Sequence, residues 1–422
     1  MPSAKANQTS HFTEKRLEVL PLNATERPGV ISLLVWAACA YLLILPIADV
    51  LIRFDWPAGG ELSWVRGRFT AVNALTLTGF SPNIPLAKFP PLAHATIFAL
   101  TLIGAMFPMI LGGMAVVRIL KLPYSDRQIA ASSLILFLVL MAAGSIPLIA
   151  SGYGAQNSFM LATSALANSG VHFGPLPRVL NWQLHLVLLP LAILGGLGSP
   201  VLIELFALLR MKGRLSDYSK TVLTTTAWIY LVIFGLFAAM QLVETESLTG
   251  KWLKIFSSSS TLSIDSRTAG FAIEGAQPAD LPRSSQWLLL LPMILGGWAA
   301  GTAGGIKVNT FIGLGRGVTQ GLRGGSIGRP VAIAAVWIGI YVALTILFFL
   351  MLLWSEPDLP ADRLLFLTIS ALSNVGLSHD PVSITGSGLD VLSCAMLLGR
   401  LTPLAMLWWT AMTTREGDMP VG

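Results

Sequence analysis

Uncharged apolar runs of bilayer-spanning length alternate along this chain with short polar connections. Eight stand out, near residues 29–52, 91–120, 128–152, 182–210, 221–243, 286–315, 330–354 and 386–411. A helix needs about 20 apolar residues to cross a bilayer, and the stretch from Ile129 to Ser158 carries no charge at all. Between the members of each successive pair lies a second kind of segment, a short helix-like run that stops at a glycine turn. These are Phe69–Leu77 before Thr78-Gly79-Phe80, Ser158–Ala167 before Asn168-Ser169-Gly170, Leu253–Ile264 before Arg267-Thr268-Ala269-Gly270, and Leu364–Leu372 before Asn374-Val375-Gly376. About ten helical residues cover about 15 Å, half the hydrocarbon thickness. Irregular backbone at that depth is tolerated only where protein buries it or water reaches it. The glycines at 79, 170, 270 and 376 are 91, 100 and 106 residues apart, which predicts an internal repeat. The expected fold is an all-α integral membrane protein: eight transmembrane helices plus four re-entrant pore helices, in four tandem helix–pore-loop–helix repeats around a central pore. The predicted divisions are a leader over 1–28 and repeats over 29–120, 121–211, 212–318 and 319–422, the last with a short tail.

Composition narrows the class. Only 11% of residues are charged, against about 25% in soluble proteins, which excludes a large soluble domain. The net charge of +6 does not point to nucleic acid, because the basic residues cap apolar runs instead of clustering. They concentrate in the leader, in the Arg118–Arg127, Arg210–Lys220 and Arg316–Arg329 connections, and at Arg415. The positive-inside bias therefore puts both termini in the cytosol and the glycine turns outside. Residues 1–27 lack the apolar core of a signal peptide. Cys39 and Cys394 lie in apolar runs and are expected to pack as small hydrophobes.

Four short helices ending at glycine turns would direct four negative dipole ends to one place. The carbonyls that follow can replace the water around a dehydrated cation. Glycine suits such a turn because it accepts φ > 0 and leaves the axis clear. The candidate selectivity-filter residues are Thr76, Leu77, Thr78 and Gly79; Asn168, Ser169 and Gly170; Thr268, Ala269 and Gly270; and Asn374, Val375 and Gly376. No carboxylate falls on the axis, which favours a large monovalent cation. Asp265 is placed either at an outer mouth or in a solvated loop. Gly296 to Gly305 should break the sixth apolar run, either as a loop or as a close helix contact through small residues. Arg400 falls about 20 Å into the last run, where a charge faces a cavity or a partner. Lys307 either snorkels to the cytosolic interface or belongs to the broken segment. The histidines show no metal spacing.

These residues resemble the Trk/Ktr/HKT potassium transporter superfamily, and in particular its Ktr-type (KtrB-like) membrane subunit, from about residue 29 onward. The motifs that carry the resemblance are Ala74-Leu-Thr-Leu-Thr-Gly-Phe-Ser81, Ser266-Arg-Thr-Ala-Gly-Phe271, Ile193-Leu-Gly-Gly-Leu-Gly-Ser-Pro200, Gly301-Thr-Ala-Gly-Gly-Ile-Lys307 and Gly399-Arg-Leu-Thr-Pro403. Trp298, Ala299 and Ala300 depart from the family's run of tiny and hydroxylated residues. The resemblance implies potassium uptake into the cell through the inner membrane. It implies a gate loop formed by Trp298, Ala299, Ala300, Gly301, Thr302, Ala303, Gly304 and Gly305, with Lys307, and with Arg400 as an electrostatic barrier beneath the filter. It also implies a homodimer seated on a cytosolic ring of nucleotide-binding (RCK-type) regulatory subunits. No cofactor is expected in the chain; potassium is the substrate, and sodium the candidate coupling ion. The competing readings are a secondary transporter of another small solute and a sodium-permeable or sodium-coupled member of the same family. Nothing in the sequence sets up a nucleophile–base or metal pair for catalysis.

Overall fold

The computed structural model describes residues 27–413, apart from 55, 57–61, 82, 211–212, 245–249, 326–327, 380–381 and 383 and the side chains of 27–34 and Thr268. The leader before residue 27, Lys212 and Arg415 thus lie outside the described residues. The chain divides into two units, Met1–Leu42 and Leu43–Gly422. The described part of the first is helical, and the second holds the candidate site.

In chain order the elements are α1 (Arg27–Arg53), α2 (Trp64–Leu75), α3 (Pro91–Leu120), α4 (Asp126–Ala150), α5 (Ala155–Ala167), α6 (Leu184–Leu197), α7 (Ser199–Leu209), α8 (Asp217–Glu244), α9 (Trp252–Ile264), α10 (Arg283–Leu288), α11 (Leu290–Ile294), α12 (Val308–Leu322), α13 (Arg329–Ser355), α14 (Ala361–Leu372) and α15 (Ser387–Thr413). Among the described residues, six helices are long and apolar enough to cross a membrane, within α1, α3, α4, α8, α13 and α15. The other two long apolar runs are not straight spans. The run near 182–210 bends by 116° between α6 and α7. Gly198 sits at that break with φ +95°, and a Cβ there would come within 3.0 Å of Ala300. The run near 286–315 falls into α10, α11 and α12, with Leu295 to Lys307 outside any helix.

Local chemistry explains several boundaries. Ser125 and Gln128 form a reciprocal capping box at the start of α4, which satisfies two otherwise orphaned donors. Lys121 ends α3 in the left-handed region at φ 50°. Pro108 lacks an N–H, and the helix passes through a π turn over Pro108–Gly112. Ser199 Oγ donates to the Met109 carbonyl inside that turn at 2.7 Å.

The short helices α2, α5, α9 and α14 form the most deeply buried part of the molecule. Their interior polar positions are hydroxyls and amides, with no buried base or acid along the helical stretch. Thr368 and Thr261 donate to carbonyls four residues back at 2.8 Å, which satisfies a buried hydroxyl without a second element. Leu161, Leu166, Leu184, Leu188, Leu262 and Phe271 are fully buried around them. Cys39 and Cys394 are free and exposed. They lie on the outward faces of α1 and α15 instead of packing inside as expected, because a lipid-facing position accepts the same apolar side chain.

Candidate functional site

Each short helix ends on backbone that turns sharply. Leu77, Asn168 and Asn374 are non-glycine residues with φ of 59°, 54° and 50°, and each stands two positions before a glycine of φ 83°, 71° and 82°. Asparagine tolerates this left-handed region better than most side chains. The third turn is built differently: Asp265–Ala269 form a π turn, and Gly270 alone takes φ 62°.

The four turns close on one another in cyclic order. A Cβ at Gly79 would overlap the Ser169 carbonyl, and one at Gly270 would overlap the Val375 carbonyl. One at Gly376 would overlap the Thr78 carbonyl, and one at Gly170 would lie 2.7 Å from the Ala269 carbonyl. Each glycine therefore faces the carbonyl immediately before the next turn's glycine. The order is first to second, second to third, third to fourth and fourth to first. Of the thirteen sequence-derived filter positions, Thr78, Gly79, Ser169, Gly170, Ala269, Gly270, Val375 and Gly376 come together here through backbone. The side chains of Leu77, Ala269 and Val375 pack away into the hydrophobic core.

Specific bonds hold the turns. Asn73 clamps Phe80 in both directions: its Nδ2 donates to the Phe80 carbonyl at 3.0 Å and its Oδ1 accepts from the Phe80 N–H at 2.9 Å. Asp265 Oδ1 accepts from the Phe271 N–H at 2.8 Å. Asp265 is 1% exposed, so it is a buried strut of the third turn and neither of the two expected alternatives. Asn168 donates to the Ala192 carbonyl at 3.0 Å, and Asn374 to the Met396 carbonyl at 2.9 Å. Close backbone approach completes the frame. Any Cβ at Gly104, Gly195 or Gly399 would overlap the carbonyl of Leu75, Leu166 or Leu372, the residue at or next to the end of each short helix. Gly195 and Gly399 fall in motifs the sequence reading quoted, without this packing role; Gly104 and Asn73 it missed. The signal for those two was an isolated Gly in an apolar helix and one amide in a helix otherwise without one.

Beneath the turns lies the non-helical segment between α11 and α12. Its neck is closed by the Gly296 N–H on the Ile306 carbonyl and the Ile306 N–H on the Ile294 carbonyl, both 3.0 Å. Arg267 Nη2 braces the neck by donating to the Gly296 carbonyl at 2.8 Å. The loop itself is buried: Ala300 and Thr302 are 0% exposed and Trp298 2%. Several other helices meet it. The Trp298 and Thr302 N–H groups donate to the Gly196 and Gly195 carbonyls of α6 at 3.1 and 3.0 Å. A Cβ at Gly112 of α3 would lie 3.0 Å from the Ala299 carbonyl.

Arg400 of α15 supplies a further contact. It is 4% exposed. Its Nε and Nη2 donate to the Thr76 carbonyl at 2.9 and 2.6 Å, and its Nη1 donates to the Thr302 carbonyl at 2.7 Å. The guanidinium thus bridges the first turn to the loop. Thr302 is a hub, since its hydroxyl also donates to the Leu166 carbonyl at 3.0 Å and accepts from Asn168 Nδ2 at 2.9 Å. Lys307 Nζ donates back into the loop, to the Ala303 carbonyl at 2.6 Å, so of its two expected placements it takes the loop. A Cβ at Gly304 would overlap the Ser373 carbonyl, which joins the loop to the fourth turn as well.

No protein-family model matches the sequence. The chain is 25% identical, in an alignment of 427 residues covering 90% of it and 93% of the relative, to the Ktr system potassium uptake protein B of Bacillus subtilis (strain 168). It is 30% identical over 245 residues, 52% of this chain and 50% of the relative, to the Ktr system potassium uptake protein B of Vibrio alginolyticus. Among solved structures, the potassium transporter TrkH from Vibrio parahaemolyticus superposes with a TM-score of 0.69 at 18% identity, covering 90% of this chain and 85% of that one. The last likeness is one of fold. All three agree with the resemblance read from the turn motifs. They describe a multi-pass membrane protein whose relatives are transporters and not enzymes.

Proposed function

Starting from a chain that resembles the Trk/Ktr potassium transporters, and within them the Ktr-type membrane subunit, we propose that it takes up potassium through a pore on the axis of four repeats. The carrying observation is the closed ring in which Gly79, Gly170, Gly270 and Gly376 each face the carbonyl preceding the next glycine. Such a ring offers backbone oxygens and no side chain to a dehydrated ion. Its four-part order matches the helix, half-helix, helix sequence of the repeats. Thr76 to Gly79, Asn168 to Gly170, Thr268 to Gly270 and Asn374 to Gly376 are then the selectivity filter.

The segment Trp298 to Gly305 is the gate. It lies below the ring and is tied to the helices that leave the other repeats, so an ion cannot pass while it is seated. Arg400 fastens it and sets a positive charge at the innermost carbonyl of the first turn. Both termini face the cytosol. The subunit works as a homodimer on a cytosolic nucleotide-binding ring docked at the basic connections. Arg316 and Arg323 are exposed there, whereas Arg118 is paired with Asp126 at 2.5 Å and Arg329 donates to the Thr413 carbonyl.

The test is rubidium uptake into proteoliposomes holding the purified protein, with potassium or sodium as competitor. Potassium should suppress uptake at far lower concentration than sodium. Equal competition by the two ions would overturn the potassium assignment, and no rubidium uptake at all would overturn the pore.

A further inference from the structure

Trp298 carries a polar contact that the gate reading does not require. Its indole Nε1–H donates to Thr226 Oγ1 of α8 at 2.8 Å. The Thr226 hydroxyl in turn donates to the Val222 carbonyl at 2.7 Å. That bond fixes the hydroxyl's orientation and leaves its lone pair facing the indole. Around this bond the indole packs on Leu197, Val201, Val222 and Val308. The Tyr218 ring approaches it edge-on at 6.4 Å between centroids. A cavity of about 30 Å³, bounded by Thr226, Tyr230, Arg267, Gly297, Trp298 and Ala303, lies alongside. The indole is thus held by apolar packing, and the Nε1–H bond to Thr226 adds a directional restraint to it. Trp228, Leu231, Val232 and Leu236 of α8 are 66%, 52%, 55% and 46% exposed, so one face of α8 meets the lipid while Thr226 holds the gate.

We propose that Thr226 is a positioning residue for the gate, a latch on the lipid-facing helix α8 that holds the Trp298 to Gly305 segment closed through the Trp298 indole. The proposal rests on the gate reading above and adds to it the residue and the helix that set the closed population. Closure is then biased by a bond outside the filter. Displacing α8 laterally releases the loop without touching the carbonyl ring.

Three variants test this by rubidium flux per correctly folded molecule, with the rubidium to sodium ratio measured beside it. Thr226→Val removes the acceptor at nearly constant volume. A neutral hydrogen bond contributes about 0.5–1.5 kcal/mol net, so the expected rise in basal flux is roughly two- to tenfold. The ion ratio should not change, which a general disturbance of the core would not achieve. Thr226→Ser keeps the hydroxyl and should keep wild-type closure. Trp298→Phe should raise flux by a similar factor. Combined with Thr226→Val it should add nothing, because both remove the same bond. Unchanged or lower flux in Thr226→Val, equal flux in the Val and Ser variants, or additive effects in the pair would each overturn the latch. Deleting Trp298 to Gly301 in the same preparation separates the two levels. If the deletion raises flux and Thr226→Val does not, the gate stands and the latch falls. If the deletion does not raise flux, both fall.

Discussion

Replacing Arg400 should raise the rate of ion passage, and the structure sets the scale. The guanidinium lies 2.6 to 2.9 Å from the Thr76 carbonyl oxygen. A cation resting on that same oxygen would stand about 5 Å from the positive charge, a repulsion of about 3 kcal/mol at an effective dielectric of about 20. That corresponds to roughly a hundredfold in occupancy of the innermost position. The substitution also cuts the Thr302 tie to the gate loop, which acts in the same direction. The opposing effect is on stability. Hydrogen bonds to a charged donor contribute about 1.5–3 kcal/mol each, and their loss leaves two buried carbonyls without a strong partner. Arg400→Gln and Arg400→Ala should therefore be compared. Glutamine retains an N–H donor for one carbonyl and removes the charge, so it should conduct faster at little loss of folded protein. Alanine should conduct faster per folded molecule but give a poorer size-exclusion profile. Rubidium flux into proteoliposomes, normalised to monodisperse protein, reads both. A monodisperse Gln variant with wild-type or lower flux would show that the charge does not oppose the ion.

Three further outcomes are expected. Gly79→Ser places a side chain against the Ser169 carbonyl at φ 83°, so the rubidium to sodium flux ratio should fall several-fold, and an unchanged ratio would remove the first turn from the filter. Deleting Trp298 to Gly301 takes out the buried part of the loop that meets α3 and α6; basal flux should rise with the ion ratio retained, whereas lower flux in well-folded protein would count against a gate. Reversing the charge of Arg316 and Arg323 should weaken co-purification with a nucleotide-binding ring and suppress nucleotide-dependent flux, with selectivity unchanged; nucleotide control that persists would place the coupling elsewhere.

Much of the architecture could be read from local pattern, because in a bilayer every backbone polar group must be satisfied within its own segment. A run such as Arg329 to Ser355 has no alternative to a helix, and four short runs that stop at glycine have none to turning back. The glycine-rich break between α11 and α12 was legible for the same reason, since Gly296, Gly297, Gly301, Gly304 and Gly305 cannot hold a helix together. Position on the chain also marked Arg400 and Lys307 as unusual. What the pattern could not supply was partners. The bend at Gly198 packs against Ala300, where a Cβ would come within 3.0 Å, and that neighbour is about a hundred residues away. Asp265 reads as a loop or mouth aspartate until the π turn after α9 buries it against the Phe271 N–H. The left-handed backbone at Leu77 has no residue-type signal, for leucine does not favour it; the turn is imposed by the carbonyls and glycines packed around it. Sequence alone determined the six long apolar helices and the glycine-rich break after α11, since those depend on hydrogen bonds a few residues apart. Only the tertiary structure decided the cyclic order of the turns, the two carbonyls that hold Arg400 and the Thr226 anchor of Trp298, because each joins residues that meet only once segments far apart in the chain are packed together.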